Sequence, residues 1–295
     1  MKNDEPTVGR RVLLRTAVFL GVAAAAGLIN AGDEGGVAGR PGAPGAPGGA
    51  PGPNPAAGPP GSRIHELAAE KSYRLRPMTA EAPGRPSAGK PAVRTRPILE
   101  LPAGASAGAM VLTFDDGPDP RYTPGILDIL ARYGVRAMFF VCGEMAAENR
   151  DLLRRMAAEG HVIGNHTWTH PLIPTLSRPG LTSEIGRTSE VVQQAVGEAP
   201  VWFRAPYGAW NRAAFEIGAE LGMEPLAWTV DTLDWKEPGT TTIVSRVLSG
   251  AGSGVIILSH DAGGNRSQSV QAISSYLPQL LARGYRMTLP VLPPR

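Results

Sequence analysis

Cysteine is all but missing from this 295-residue chain, and Cys142 is the only one. A lone thiol excludes an internal disulfide framework and a cysteine-rich zinc site, so histidine and carboxylate are the side chains left to hold a metal. Aromatic residues are few, at 6%, and charged residues stand at 19%, below the ~25% of an average globular chain. Apolar runs are too short for a polytopic membrane protein. Residues 16–32 are uncharged and rich in Ala, Val and Leu, yet they number 17 against the ~20 that a spanning helix needs. A wholly disordered chain is excluded from the other side, since 42% of residues are hydrophobic. Positive charge is also missing where a nucleic-acid enzyme needs it. The overall +3 divides into a net +5 over residues 1–108 and a net −2 over residues 109–295, so the part able to fold is mildly acidic. No nucleic-acid partner is expected.

Glycine (37) and proline (29) are abundant, and the excess is concentrated in the first third of the chain. Arg10 and Arg11, followed by Val12, Leu13 and Leu14, precede the 16–32 run. This is the basic and then apolar order of an export signal, and the arginine pair resembles a twin-arginine signal. Residues 1–31 are therefore read as an export signal, or as a membrane anchor if left uncleaved, and the protein as extracellular or associated with the cell envelope. Residues 35–61 hold ten Gly, eight Pro and six Ala, a composition that cannot bury enough apolar surface to offset its ordering entropy. The whole span 32–104 is read as a low-complexity linker and basic arm, suited to electrostatic contact with an anionic wall or membrane.

From residue 109 the texture changes. Apolar, β-rich runs at 110–114, 135–141, 161–165, 201–205, 225–230, 255–259 and 285–289 alternate with helical patterns. Near-continuous apolar strands between amphipathic helices indicate a parallel sheet covered on both faces. Seven strands in about 187 residues are too few for a full eightfold barrel of ~250 residues. The expected fold class is α/β, a distorted and incomplete (β/α) barrel of about seven parallel strands, and residues 105–295 are read as the folded domain of a monomer.

Polar clusters recur where these strands end: Asp115 and Asp116 after the first, His166 and His170 after the third, Arg204 to Tyr207 after the fourth, Asp231 to Trp235 after the fifth, and Leu258 to Asp261 at the sixth. Carboxyl ends of parallel strands share one face, which is where such sheets place their sites. Two histidines four apart reach one ion, and a nearby carboxylate completes a three-ligand set with positions left open. Two adjacent aspartates project differently, so one can ligate while the other stays free as a base. His161, in the lead-in to its strand, reads as structural.

Residues 113–118 (TFDDGP), 166–170 (HTWTH), 204–207 (RAPY), 231–235 (DTLDW) and 258–260 (LSH) resemble the five ordered motifs of the polysaccharide deacetylase family, the NodB-homology domain of carbohydrate esterase family 4. The resemblance covers about two thirds of the chain. It implies that Asp116, His166 and His170 bind a divalent metal, most often zinc, with cobalt or another divalent ion able to substitute. Asp115 would be the base that deprotonates the attacking water, oriented by Arg204. His260 would be the acid that protonates the leaving amine, oriented by Asp231. The Tyr207 backbone N–H would help stabilise the oxyanion, and Trp235 and Leu258 would shape the pocket for the acetyl methyl. The implied substrate is an acetylated polysaccharide or oligosaccharide, either an N-acetylated amino-sugar polymer or, as an alternative, O-acetyl xylan. Two readings of other classes stand beside it. Two histidines and a carboxylate also describe a non-haem iron centre, against which the base Asp115 and acid His260 argue, since oxygen activation requires neither. A non-catalytic glycan-binding protein would keep the fold but lose base or acid, and both are present.

Overall fold

The computed structural model describes residues 90–103 and 106–293. The export signal and most of the linker and basic arm lie outside the described residues. Among the described residues, eight strands and seven α-helices follow in the order β1 (Ala109–Asp115), α1 (Thr123–Arg132), β2 (Met138–Val141), α2 (Gly143–Glu148), α3 (Arg150–Ala158), β3 (Val162–Asn165), α4 (Arg178–Val196), β4 (Trp202–Phe203), α5 (Arg212–Glu220), β5 (Glu224–Pro225), β6 (Val230–Asp231), α6 (Thr240–Gly250), β7 (Ile256–His260), α7 (Ser267–Ala282) and β8 (Arg286–Met287). The strands pair in the order β5-β4-β3-β2-β1-β7-β6, every pairing parallel, and β8 joins β1 at Ala109 and Met110. The result is the curled, incomplete barrel of seven parallel strands that the alternation implied.

Strand periodicity sorts the core into two layers. Along β1, Met110, Leu112 and Phe114 face outward into a cluster with Ile126, Leu130, Ile273 and Leu277 of the surrounding helices. Ala109 and Val111 face inward, against Met138, Phe140 and Ile256. All seven β1 residues are buried, because both faces are covered. The inner face of β1 continues through Thr113 to Asp115, so the interior turns polar only at the strand's carboxyl end. Helix α7 buries Ser269, Ala272, Ile273, Tyr276, Leu277 and Leu280, a stripe of helical spacing that seats it on the sheet. Ser177 opens α4 by accepting the Gly180 N–H, and Gly197, at φ 86°, closes it in the left-handed conformation that favours glycine.

One sequence expectation changes here. The run 225–230 is not a single strand. β5 pairs with β4 and β6 pairs with β7, so the segment 224–231 runs from one edge of the curled sheet to the other. Leu226 and Ala227 between the two pairings turn their carbonyls to a side chain, not to a neighbouring strand. Helix α2, six residues without an apolar period long enough to read, was not expected.

Part of the segment assigned to the linker is also built into the domain. Ile98 bridges to Leu226, Glu100 bridges to Val255, and Arg94 forms an ion pair with Glu224, which is buried. Leu101 and Ile98 complete the inner apolar cluster. The Pro-rich composition hid these contacts, since Arg94, Ile98, Glu100 and Leu101 follow no apolar period. Leu101 is 7% exposed, so Leu101→Ala is expected to cost ~2–4 kcal/mol in urea unfolding of the full chain with metal content unaltered. A change below ~0.5 kcal/mol would mean that this strap is loose in solution.

Candidate active site

Strand register brings the polar ends together. Asp115 is in register with His260, and Thr113 with Leu258, across the adjacent strands β1 and β7. Asp115 and His260 therefore project to the same side of the sheet, at its carboxyl edge.

Arg204, which follows β4, is fully buried and supports Asp115 from below. Its Nη1 donates to Asp115 Oδ1 at 2.6 Å and to Thr113 Oγ1 at 2.7 Å. Nε donates to the Leu226 carbonyl at 3.2 Å and Nη2 to the Ala227 carbonyl at 2.9 Å, while the guanidinium lies 4.1 Å from the Phe140 ring centroid. A desolvated guanidinium needs such a full set of acceptors. Burial pushes the Asp115 carboxyl above the usual carboxylate range, and the positive charge of Arg204 opposes the shift. A carboxylate so placed takes up a proton more readily than an exposed one.

The main chain of the same arginine fixes a second group. The Arg204 carbonyl accepts from His166 Nδ1 at 2.9 Å, which leaves Nε2 with its lone pair facing the cleft. Burial pushes the His166 pKa down to about 3, so the ring is neutral at ordinary pH. His166 Nε2 lies 3.5 Å and His170 Nε2 3.3 Å from Asp116 Oδ1. That oxygen is buried without a hydrogen-bond partner. The three donor atoms, from Asp116, His166 and His170, fall within 4.8 Å of one another. Tetrahedral zinc with bonds of ~2.0–2.1 Å keeps its donors roughly 3.3 Å apart, so an orphaned carboxylate oxygen and two imidazole nitrogens at this spacing fit a divalent cation. The loop between the histidines is tied down by Glu184 of α4, whose carboxylate accepts the backbone N–H groups of Trp168 and Thr169, each at 2.8 Å.

On the opposite side, His260 donates from Nδ1 to Asp234 Oδ1 at 2.7 Å, and its backbone N–H donates to Asp234 Oδ2 at 2.9 Å. This corrects the expectation for Asp231. The Asp231 carboxylate accepts the Leu233 N–H at 2.8 Å, stabilising its own turn, and Asp234, buried in the short turn Asp234–Lys236, is the partner of His260. Burial by itself would lower the His260 pKa. The negative, hydrogen-bonded Asp234 outweighs it and lifts the value to about 9.

The remaining expected residues lie at the same edge. Tyr207 sits at φ 59° in a tight turn with its ring 4.5 Å from that of His170. Trp235 is 48% exposed beside the acid, and Leu258 is buried one inward position below it. Residues without an expected role also take part. Asp261, buried, accepts from Thr123 Oγ1 at 2.5 Å and from the Gly117 N–H at 3.1 Å, and burial raises its pKa to about 7. Gly117 is required there, because a Cβ would stand 2.2 Å from the Asp261 carboxylate. Asp261 supports the turn that presents Asp115 and Asp116. Its place after His260 was the one available signal; nothing local marked Glu184.

A buried carboxylate braced by arginine, a two-histidine, one-carboxylate cluster and an aspartate-held histidine, all at the carboxyl edge of a parallel barrel, define a hydrolase site of the deacetylase class. The comparisons agree. The family model "Polysaccharide deacetylase" matches residues 104–226. A chitooligosaccharide deacetylase of Rhizobium leguminosarum bv. trifolii is 38% identical over 204 residues, spanning 64% of this chain and 95% of the relative. The solved Bc1960 peptidoglycan N-acetylglucosamine deacetylase superposes with a TM-score of 0.62 at 36% identity, over 65% of this chain and 89% of that one. A family 4 pseudoenzyme from Bacillus anthracis superposes nearly as well, with a TM-score of 0.61 at 28% identity over 66% and 67%. This chain belongs to the polysaccharide deacetylase family, hydrolases acting on non-peptide carbon–nitrogen bonds. Because the fold also serves a pseudoenzyme, the argument for activity rests on the side chains above.

The two aspartates of the 231–235 segment give a direct test. Asp234→Asn is expected to lower kcat ~100-fold, whereas Asp231→Asn changes it less than ~3-fold. The proton-carrying form of His260 persists below its raised pKa, so kcat/KM falls as pH rises through that value. In Asp234→Asn this basic limb moves down toward the ordinary histidine range near ~6.5. Equal effects of the two substitutions would return the orienting role to Asp231.

Proposed function

We propose that this protein removes acetyl groups from N-acetylglucosamine units of an amino-sugar polymer or oligomer, chitooligosaccharide or peptidoglycan. The observation that carries the reading is the pairing of a braced base, Asp115, with an opposed acid, His260, across a site where a buried Asp116 oxygen has no hydrogen-bond partner. Asp116, His166 and His170 would hold a divalent cation, zinc in the first instance. When bound, such an ion polarises the acetyl carbonyl and makes water easier to deprotonate.

The chain's own residues divide the proton work. Asp115, held by Arg204, takes a proton from the attacking water as its oxygen adds to the acetyl carbon. The Tyr207 N–H would donate to the oxygen that becomes negative. As the carbon–nitrogen bond breaks, His260 passes its Nε2 proton to the departing nitrogen, with Asp234 holding Nδ1. Acetate and the free amino sugar result. Trp235 and Leu258 flank the acetyl methyl. An amide needs this acid, because an amine does not leave as its anion, and that requirement favours the N-acetyl over the O-acetyl reading.

The segment 1–104 supports export and retention near an anionic wall polymer, through the charge order around residues 10–32 and the basic residues that follow. This location is part of the proposal.

Three variants test the division of labour. Asp115→Asn is expected to retain metal and lose ~100-fold or more in kcat. Asp116→Asn and His166→Ala are expected to lose metal and activity together. Metal content near that of the parent protein in His166→Ala would contradict the ligand set. Acetate release by zinc-loaded protein is expected from chitooligosaccharide or peptidoglycan, and release from acetyl-xylan alone would replace the amide reading with the ester one.

A further inference from the structure

We propose that Arg266 is a positioning residue for the proton-donor side of this site, fixing His260 and its partner Asp234 against the loop that covers Asp116. The inference rests on the reading of His260 as the acid.

Arg266 stands just before α7 and is 2% exposed. Its guanidinium is spent on three backbone carbonyls: Nε donates to Ala262 at 2.7 Å, Nη1 to Asp234 at 2.9 Å and Nη2 to Gly263 at 2.7 Å. Two of these carbonyls belong to the loop after His260, and the third belongs to the residue that holds the His260 ring. One side chain thus ties the strand end carrying the acid to the turn carrying its carboxylate.

That turn needs external support. Leu233 (φ 53°) and Glu237 (φ 52°), on either side of Asp234–Lys236, both occupy the left-handed region, which is costly for residues with a Cβ. Such a conformation persists where surrounding contacts over-determine it. The contacts come from the start of α7: besides Arg266, Ser269 Oγ donates to Asp234 Oδ2 at 2.6 Å, and the Gln268 side chain accepts the Gly239 N–H at 2.6 Å. The loop held on the other side is equally constrained. Gly263 (φ 73°) passes so close to the ligand residue that a Cβ there would sit 2.5 Å from Asp116 Oδ2. Arg266 therefore also sets the spacing between the acid and Asp116.

A lysine cannot reproduce the effect, because one ammonium nitrogen cannot span carbonyls that a planar fork reaches at three points. A loosened turn leaves base and ligands in place and misplaces the acid alone. The consequence depends on the leaving group: an amide nitrogen needs the proton from His260, whereas a nitrophenolate departs as its own anion.

The test compares metal-loaded parent, Arg266→Lys, Ser269→Ala and His260→Ala on an N-acetylglucosamine oligomer and on 4-nitrophenyl acetate. Bound metal and the melting transition are measured for each. Arg266→Lys is expected to lose ~10–100-fold in kcat on the oligomer while the aryl ester changes less than ~3-fold at equal metal content. His260→Ala is expected to show the same split, and larger. Should Arg266→Lys fail to fold, Ser269→Ala, which removes one hydrogen bond to Asp234, decides by a smaller split in the same direction. A split in His260→Ala with equal losses, or no loss, in the folded Arg266 or Ser269 variant overturns the proposal alone. No split in His260→Ala overturns the acid assignment and the proposal with it.

Discussion

The buried guanidinium of Arg204 is the constraint on which the site depends. Its side chain braces Asp115, and its backbone carbonyl selects the nitrogen that His166 presents to the cleft. The positions of Asp115 and His166 are thereby set from one residue. The remaining donors are spent on Thr113 of β1 and on the 226–227 crossing, so a fully desolvated charge also knits the first strand to the segment that spans the sheet's two edges. Removing either partner of such a pair leaves an uncompensated buried charge, which is why the arrangement is rigid.

The fold contributes by direction. Parallel strands send Asp115, His166, Arg204 and His260 to one edge, and the register of β1 with β7 aligns Asp115 with His260 before any loop is considered. Loops then supply what strands cannot. The 166–170 loop rests on Glu184, the 115–118 turn on Asp261, and the 233–237 turn on Arg266. Each support is a buried or half-buried polar side chain bonded to backbone, the kind of contact that fixes a loop more tightly than apolar packing. The family fold alone does not secure activity, as the pseudoenzyme shows.

The sheet was legible in the sequence because its strands are buried on both faces and read as apolar runs between helical patterns. Asp115, Asp116, His166 and His170 stood out in the sequence because they are polar side chains at strand ends, and the structure gathers donor atoms of Asp116, His166 and His170 within 4.8 Å of one another. What was hidden depends on geometry across the chain. Asp231 and Asp234 lie three apart, and spacing cannot tell which reaches His260. Only the turn bracketed by Leu233 and Glu237 brings the second under the ring. The 225–230 run reads as one strand by composition, yet its middle residues give their carbonyls to Arg204. Ile98 and Leu101 sit in a Pro-rich stretch that carries no period, so their place in the inner core could not be read.

The most direct test of the central claim is a double-mutant cycle on kcat/KM between Arg204→Lys and Asp115→Asn, measured per folded, metal-loaded molecule. If Arg204 acts through the base, its replacement costs a large factor in the parent background and little once Asp115 is already Asn, giving a coupling close to the full effect of the arginine. Losses that simply multiply, with Arg204→Lys equally harmful in both backgrounds, would contradict the account and make the arginine a support of the barrel alone.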